Sequence, residues 1–227
     1  MRRPLPILVA ALLAAALSVA ACGGDSDTDT GGDAGLPAAS TLLPAAAAKM
    51  RAVTSTAFTI TTEGETGALP ISSAEGAIDN TGTAQGKAQL DQLGMALELT
   101  FVVKDGTVYL NGLTGGWQKM PLAQAAAIYD PTAILNPDKG IASVLASAQG
   151  TTQKREGDDY VVDATFDGAA MAGLVPGVTG EVKGTVWIGV DEPLVRQLRF
   201  TVPGQTGTAT IAFSDFDKPV NVEVPKI

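Results

Sequence analysis

Residues 128–145 write the same local instruction twice, and the rest of the chain has to accommodate it. Asp130 precedes Pro131, and Asn136 precedes Pro137. A side-chain oxygen that accepts from orphan backbone N–H groups, followed by a proline with no N–H to satisfy, starts a helix. The two starts are six residues apart, so the first helix is short and the chain bends before the second. Ile134 and Leu135 follow the first start. Ile141, Val144 and Leu145 follow the second, at spacings that share one face. Two bent, one-sided helices need a broad apolar surface to lie on. Most of the remaining sequence alternates as strands do, so that surface is expected to be a sheet.

The clearest strand covers 95–103, where Met95, Leu97, Leu99, Phe101 and Val103 face one way and Glu98, Thr100 and Lys104 the other. Lys104-Asp105-Gly106 predicts a hairpin turn into 107–111. From Ala57 onward, Phe58 and Ile60 alternate with Thr59 and Thr61. Further strands are expected over 71–79, 83–90, 151–156, 160–166, 181–190, 194–202 and 208–216, with Val222 and Val224 as a last edge piece. Within 194–202, Leu194, Leu198, Phe200 and Val202 share a face, Arg196 breaks that row and Arg199 faces the opposite way. Helical patterns occupy 40–53, 121–129 and 168–175. Strands in runs, with helices inserted in blocks, describe an α+β fold with a mostly antiparallel sheet rather than βαβ repeats. Gly76, Gly86 and Gly184 fall inside strand-like runs, where glycine marks a bend or bulge and lets a sheet curl.

The N-terminus carries an address. Arg2 and Arg3 precede an uncharged apolar run over 5–19, too short for a spanning helix. The run ends Leu-Ser-Val-Ala-Ala-Cys, with small residues at 20 and 21 before Cys22. That is the pattern of a bacterial lipobox, in which the cysteine sulfur receives diacylglycerol. Cys22 is the only cysteine, so no intramolecular disulfide can form. The expected organisation is a lipoprotein signal peptide over 1–21, an acylated cysteine and flexible Gly/Ser/Thr/Asp linker over 22–39, and one domain over 40–227. Two or more acyl chains anchor stably, because each buried CH₂ contributes ~0.8 kcal/mol. The protein is therefore expected at the cell membrane, lipid-anchored on the extracytoplasmic face.

Charge and residue types exclude several functions. Without the two leader arginines the chain has 13 basic and 24 acidic residues, a balance of −11. Nucleic acid is a poor partner for it, since that binding relies on cations displacing counterions. Histidine is absent, the sole cysteine is spent on the anchor, and no Gly-x-Ser-x-Gly elbow exists. No catalytic residue, metal ligand set or cofactor is expected. The glycine-rich loop over 112–116 leads into Trp-Gln-Lys-Met-Pro, which lacks the Lys-Ser/Thr pair of a phosphate cradle. Asp158 and Asp159 sit at a hairpin tip, and Asp25, Asp27 and Asp29 lack the glycine turn and closing glutamate of a calcium loop.

These motifs resemble the LppX/LprA/LprF/LprG family of actinobacterial, chiefly mycobacterial, lipoproteins. The matching residues are 101–109 (Phe-Val-Val-Lys-Asp-Gly-Thr-Val-Tyr), Trp117, the doubled cap at 128–141, 185–188 (Thr-Val-Trp-Ile) and the lipobox. The resemblance implies a strongly curved antiparallel half-barrel with helices on its concave face and an apolar cavity between them. It also implies a multiply acylated lipid or lipoglycan as ligand, carried from the cytoplasmic membrane toward the outer envelope, in some relatives with a transporter encoded nearby. Carried onto this chain, the cavity lining would be Ala88, Leu90, Leu97, Leu99, Phe101, Val103, Val186, Ile188, Leu198, Phe200, Ile211 and Phe213 from the strands. The helices would add Ile134, Leu135, Ile141 and Leu145.

Composition leaves two outcomes open. Hydrophobic residues make up 45% of the chain but aromatics only 5%, with 26 glycines, so the interior is built from small pieces. Either a gap remains between sheet and helices, which suits a lipid carrier, or the helices pack closer. The second outcome describes a protein-binding or scaffolding module with a filled core.

Overall fold

The computed structural model describes residues 35–66, 71–92, 95–112, 115–126, 130–175 and 178–227. Cys22, the leader and most of the linker lie outside them, as do Ile128 and Tyr129. Eleven strands form a single antiparallel sheet: β1 (Ser55–Glu63), β2 (Ile71–Asp79), β3 (Ala84–Gln92), β4 (Met95–Lys104), β5 (Thr107–Asn111), β6 (Gln118–Pro121), β7 (Gln149–Glu156), β8 (Asp159–Phe166), β9 (Val182–Gly189), β10 (Val195–Thr201) and β11 (Thr208–Ser214). The spatial order is β6-β5-β4-β3-β2-β1-β11-β10-β9-β8-β7. The chain meanders outward from β1 to β6, crosses over, and meanders back from β7 to β11, which returns to lie against β1 with Phe58 opposite Phe213. The sheet is a half-barrel, not closed into a barrel: β6 and β7 are its two edges.

Local chemistry accounts for the elements. Asp105 and Gly106 have φ of 49° and 70°, both left-handed, which is the turn that matches strand twist between β4 and β5. Helix α1 (Ala39–Ala52) buries Leu42, Leu43, Ala46, Ala47 and Met50 and ends on Lys49 and Arg51, whose charge suits a helix C-terminus. Helix α2 (Leu122–Ala125) is one turn inside the helical pattern expected over 121–129, of which residues 127–129 lie outside the described residues. The β10 row broken by Arg196 has a direct cause: the register shifts between Val195 and Gln197, a bulge that places Leu194 and Val195 both inward before the alternation restarts. Residues 218–227 form no strand, so Val222 and Val224 do not extend the sheet.

The doubled cap divides its labour differently from the sequence expectation. Asp130 caps a single 3-10 turn (Pro131–Ala133), its Oδ1 accepting from Thr132 N–H at 2.9 Å. Asn136 Oδ1 accepts from the N–H groups of Asp138 and Lys139 at 3.0 and 3.2 Å, but these belong to a turn. Helix α3 (Ile141–Ala146) starts only after Gly140. A Cβ on Gly140 would lie 2.4–2.6 Å from the carbonyl oxygens of Ile134, Asn136 and Ala133, so only glycine permits the chain to double back here. Ile134, Leu135, Ile141, Val144 and Leu145 are all buried. Helix α4 (Gly168–Met171), capped by Asp167, packs beside α3, and α3 packs along α1.

Candidate functional site

The two halves of the concave face differ. Over β8–β11 the helices α1, α3 and α4 complete a packed core in which Phe166, Met171, Ile188, Leu198 and Phe200 are all but inaccessible. Over β1–β6 the described elements that cover the sheet are short: the 3-10 turn touches β2, and α2 touches β5 and β6. An apolar pocket of about 220 Å³ lies there.

Cross-strand register explains why the pocket exists. One row runs Ile60, Ala74, Ala88, Leu99 and the next runs Phe58, Gly76, Gly86, Phe101, Leu110. In these two rows β2 and β3 carry Ala or Gly, while the flanking strands β1 and β4 carry Ile, Leu and Phe. The floor is thus missing the side chains its walls possess. Gly76 faces Gly86 directly, and a Cβ on Gly86 would meet Glu75 O at 2.1 Å and Phe101 Cζ at 2.8 Å. The strands approach too closely for any side chain, and the Phe101 ring leans over the glycine. Phe58, Ile71, Leu90, Leu97, Val103, Val108 and Met120 complete the walls, with Ala125 and Pro131 at the rim.

Every one of these lining side chains is apolar. Ala88, Leu90, Leu97, Leu110 and Met120 are only partly buried, so sizeable apolar surface faces an unfilled space. Among the described residues three carboxyls have titration shifted by the fold, and none of the three stands on the pocket wall. Backbone and hydroxyl donors from Thr54 hold Asp217 below the ordinary carboxylate range. For Asp79, burial pushes upward, but donors on Thr81 and Thr83 together outweigh it. Burial raises Asp159 against the opposing pull of Arg196, whose Nε is 3.1 Å away. Among the described residues no cluster of three or more metal-ligating side chains occurs. The arrangement can hold hydrocarbon, and no described residue of its wall is an acid, base or nucleophile.

Of the sixteen residues expected to line a cavity, Ala88, Leu90, Leu97, Leu99, Phe101 and Val103 line this pocket. Ile134, Leu135, Ile141, Leu145, Val186, Ile188, Leu198, Phe200, Ile211 and Phe213 are buried in the packed core instead. Sequence reasoning did not name Phe58, Ile71, Ala74, Val108, Leu110, Met120, Ala125 or Pro131. The alternation in β1 and β5 could have supplied Phe58, Val108 and Leu110 once the rows were extended across the sheet.

A half-open antiparallel sheet with an apolar pocket on its concave face is built to hold an apolar guest. The LppX_LprAFG lipoprotein family model matches residues 38–222, and the chain belongs to that family. Its relatives include proteins named lipoarabinomannan carrier protein LprG. The one from Mycolicibacterium smegmatis is 35% identical over 96% of this chain and 94% of its own. The one from Mycolicibacterium hassiacum is 36% identical over 99% of each. Among solved structures, LprF from Mycobacterium bovis superposes with a TM-score of 0.72 at 23% identity, covering 82% of this chain and 96% of that one. LppX from Mycobacterium tuberculosis gives 0.58 at 16% identity, covering 81% and 99%. These two share the fold. The relatives are named carriers, not enzymes, and no helix among the described residues is long and apolar enough to cross a membrane.

Proposed function

We propose that this protein is a lipid carrier of the cell envelope, anchored through diacylglyceryl-Cys22 on the extracytoplasmic face. It takes an acyl chain of a lipid or lipoglycan into the pocket beneath β1–β6 and moves it from the cytoplasmic membrane toward the outer envelope. The observation that carries this reading is the pocket wall: among the described residues, fourteen side chains line it and none is polar. A hydrocarbon chain laid against this wall removes apolar surface from water on both partners, which favours its uptake. Membrane and pocket are both hydrocarbon-like, so exchange between them is not strongly downhill in either direction. That balance lets a carrier release as well as load. The names of the LprG relatives support a lipoglycan as cargo, and an envelope transporter is the expected supplier.

The test is direct. A Cys22→Ala protein made in an actinobacterial host is expected to leave the membrane fraction and to co-purify with acyl lipids extractable into organic solvent. Mass spectrometry that finds no lipid would replace the carrier with a scaffolding module.

A further inference from the structure

We propose that the outer face of the sheet carries a second binding groove, back to back with the apolar pocket, which takes the uncharged sugar rings of a glycan and stacks one of them on Trp117. The groove is separate from the pocket, and its occupancy does not depend on the carrier reading.

Register places the residues. On the face opposite the pocket, one row runs Ala57, Ala77, Gln85, Val102 and the next runs Thr59, Glu75, Lys87, Thr100. With Trp117, which precedes β6, these residues line a shallow groove of about 610 Å³. Phe58 and Phe101 border both the groove and the pocket, and between them the wall is the bare backbone of the Gly76–Gly86 pair. Ala57 and Ala77 leave a shelf two strands wide. Val102 points outward yet is only 7% exposed, and Trp117 is half-buried, so the groove is set into the surface.

The chemistry selects the occupant. Strands β1 to β4 are each paired on both sides, so none of them is open to an added peptide strand. Glu75 stands directly opposite Lys87, and no other described lining residue is charged, so the groove presents no net charge to an ion. The side chains of Thr59, Glu75, Gln85, Lys87 and Thr100 make no hydrogen bond or ion pair with another described residue. Their donors and acceptors repeat at ~4.8 Å from strand to strand and ~7 Å along each strand. A sugar ring matches both parts of this surface. Its C–H face packs against the electron-rich face of an indole, and its hydroxyl rim both donates and accepts. A hydrocarbon laid here would leave the polar groups unpaired. An anionic ligand would meet Glu75 on a chain whose formal charge is −9.

The experiment uses the Cys22→Ala protein with Trp187→Phe, which leaves Trp117 as the only tryptophan. The probes are unacylated neutral hexasaccharides of glucose, mannose, galactose and arabinose, read by Trp117 fluorescence and by titration calorimetry. At least one is expected to bind saturably and to shift the Trp117 emission to shorter wavelength. Trp117→Ala should weaken calorimetric binding about tenfold. Ala77→Ile, a strand-favouring side chain that fills the shelf from β2, should weaken it at least as much. No shift with any of the four sugars, or binding that survives both substitutions, would overturn the glycan site. Tighter binding of a sulfated hexasaccharide than of its neutral parent would overturn the choice of uncharged sugars. Sedimentation that finds a dimer, dissolved by Ala77→Ile, would give the groove to a second copy of this chain instead. Displacement of a fluorescent fatty acid from the same proteins keeps the two sites apart. Ala77→Ile should leave it unchanged, and its absence from every protein would remove the carrier reading while the glycan groove stands.

Discussion

Replacing Ala88 with phenylalanine should close the pocket from its floor. Ala88 lies on β3 between Ala74 and Leu99, inward-facing and partly exposed to the void. The new ring adds six carbons to a pocket of about 220 Å³, which at the occupancy of a ~150 Å³ cavity that holds benzene takes about nine, leaving room for about three. Six lost methylene-equivalents at ~0.8 kcal/mol each remove about 5 kcal/mol of chain binding, between three and four powers of ten in affinity. The same substitution should not harm the fold. Burying a phenylalanine side chain stabilises by ~1.5–3 kcal/mol when complete, so partial burial here should add about 1 kcal/mol and raise the melting temperature by ~2–4 °C. Gln89→Phe is the control, one residue along the same strand and therefore on the other face, where it is exposed; it should leave lipid binding alone. Lipid displacement and thermal unfolding, read on both variants, decide the matter. Undiminished binding by a well-folded Ala88→Phe protein would refute the placement of the chain. So would a large loss of stability, because it would mean the space beside Ala88 is already occupied.

The turn between the 3-10 turn and α3 should show a wide gap between two neighbouring substitutions. Asn136→Ala removes an acceptor for two backbone N–H groups and should cost about 1 kcal/mol by urea unfolding, whereas Gly140→Ala drives a methyl into three carbonyl oxygens and should cost ~3 kcal/mol or more; equal effects would discount the close approach. Acid should loosen the protein through Asp217 and Asp79, whose folded pKa values lie below the unfolded ~3.9. Their contribution is complete above that value and is lost as pH falls through the folded pKa. The urea midpoint should therefore drop below about pH 4, and Asp217→Asn should flatten that drop; an unchanged slope would show that the Thr54 contacts do not persist in solution.

The sequence announced individual strands far better than their assembly. Hydrophobic alternation in 95–103 and the Asp105-Gly106 pair are local signals, and both appear in the structure as β4 and its hairpin. The paired glycines at 76 and 86 were readable as bending points, although their direct opposition depends on register, which no single strand states. β6 escaped notice because Gln118–Pro121 is too short and polar to alternate. The contact of β1 with β11 joins residues more than a hundred positions apart and leaves no local trace. The larger surprise concerns the interior. Inward residues on β4 and β10 look alike in sequence, yet Leu97 borders the pocket and Leu198 lies in a packed core. What separates them is which half the helices cover. That is settled by the docking of α1 along α3 and beside β7, not by anything written in the strands.

No ladder of hydrogen bonds joins β6 to β7, and this seam distinguishes the molecule mechanically from a closed barrel. In a continuous cylinder, any dilation breaks backbone pairings around the circumference. Here residues 130–148, which lie between the two edges in sequence, add side-chain packing and a few turns but no strand pairing, so the wall can give along that line while all ten strand pairings stay intact. Each rim is also guarded against joining a neighbouring molecule. β6 ends in Pro121, which has no N–H to offer, and β7 carries Lys154, Arg155 and Glu156 with Thr152 tied to the Pro37 carbonyl at 2.7 Å. A protein crowded with its own copies can therefore keep its sheet open without becoming sticky.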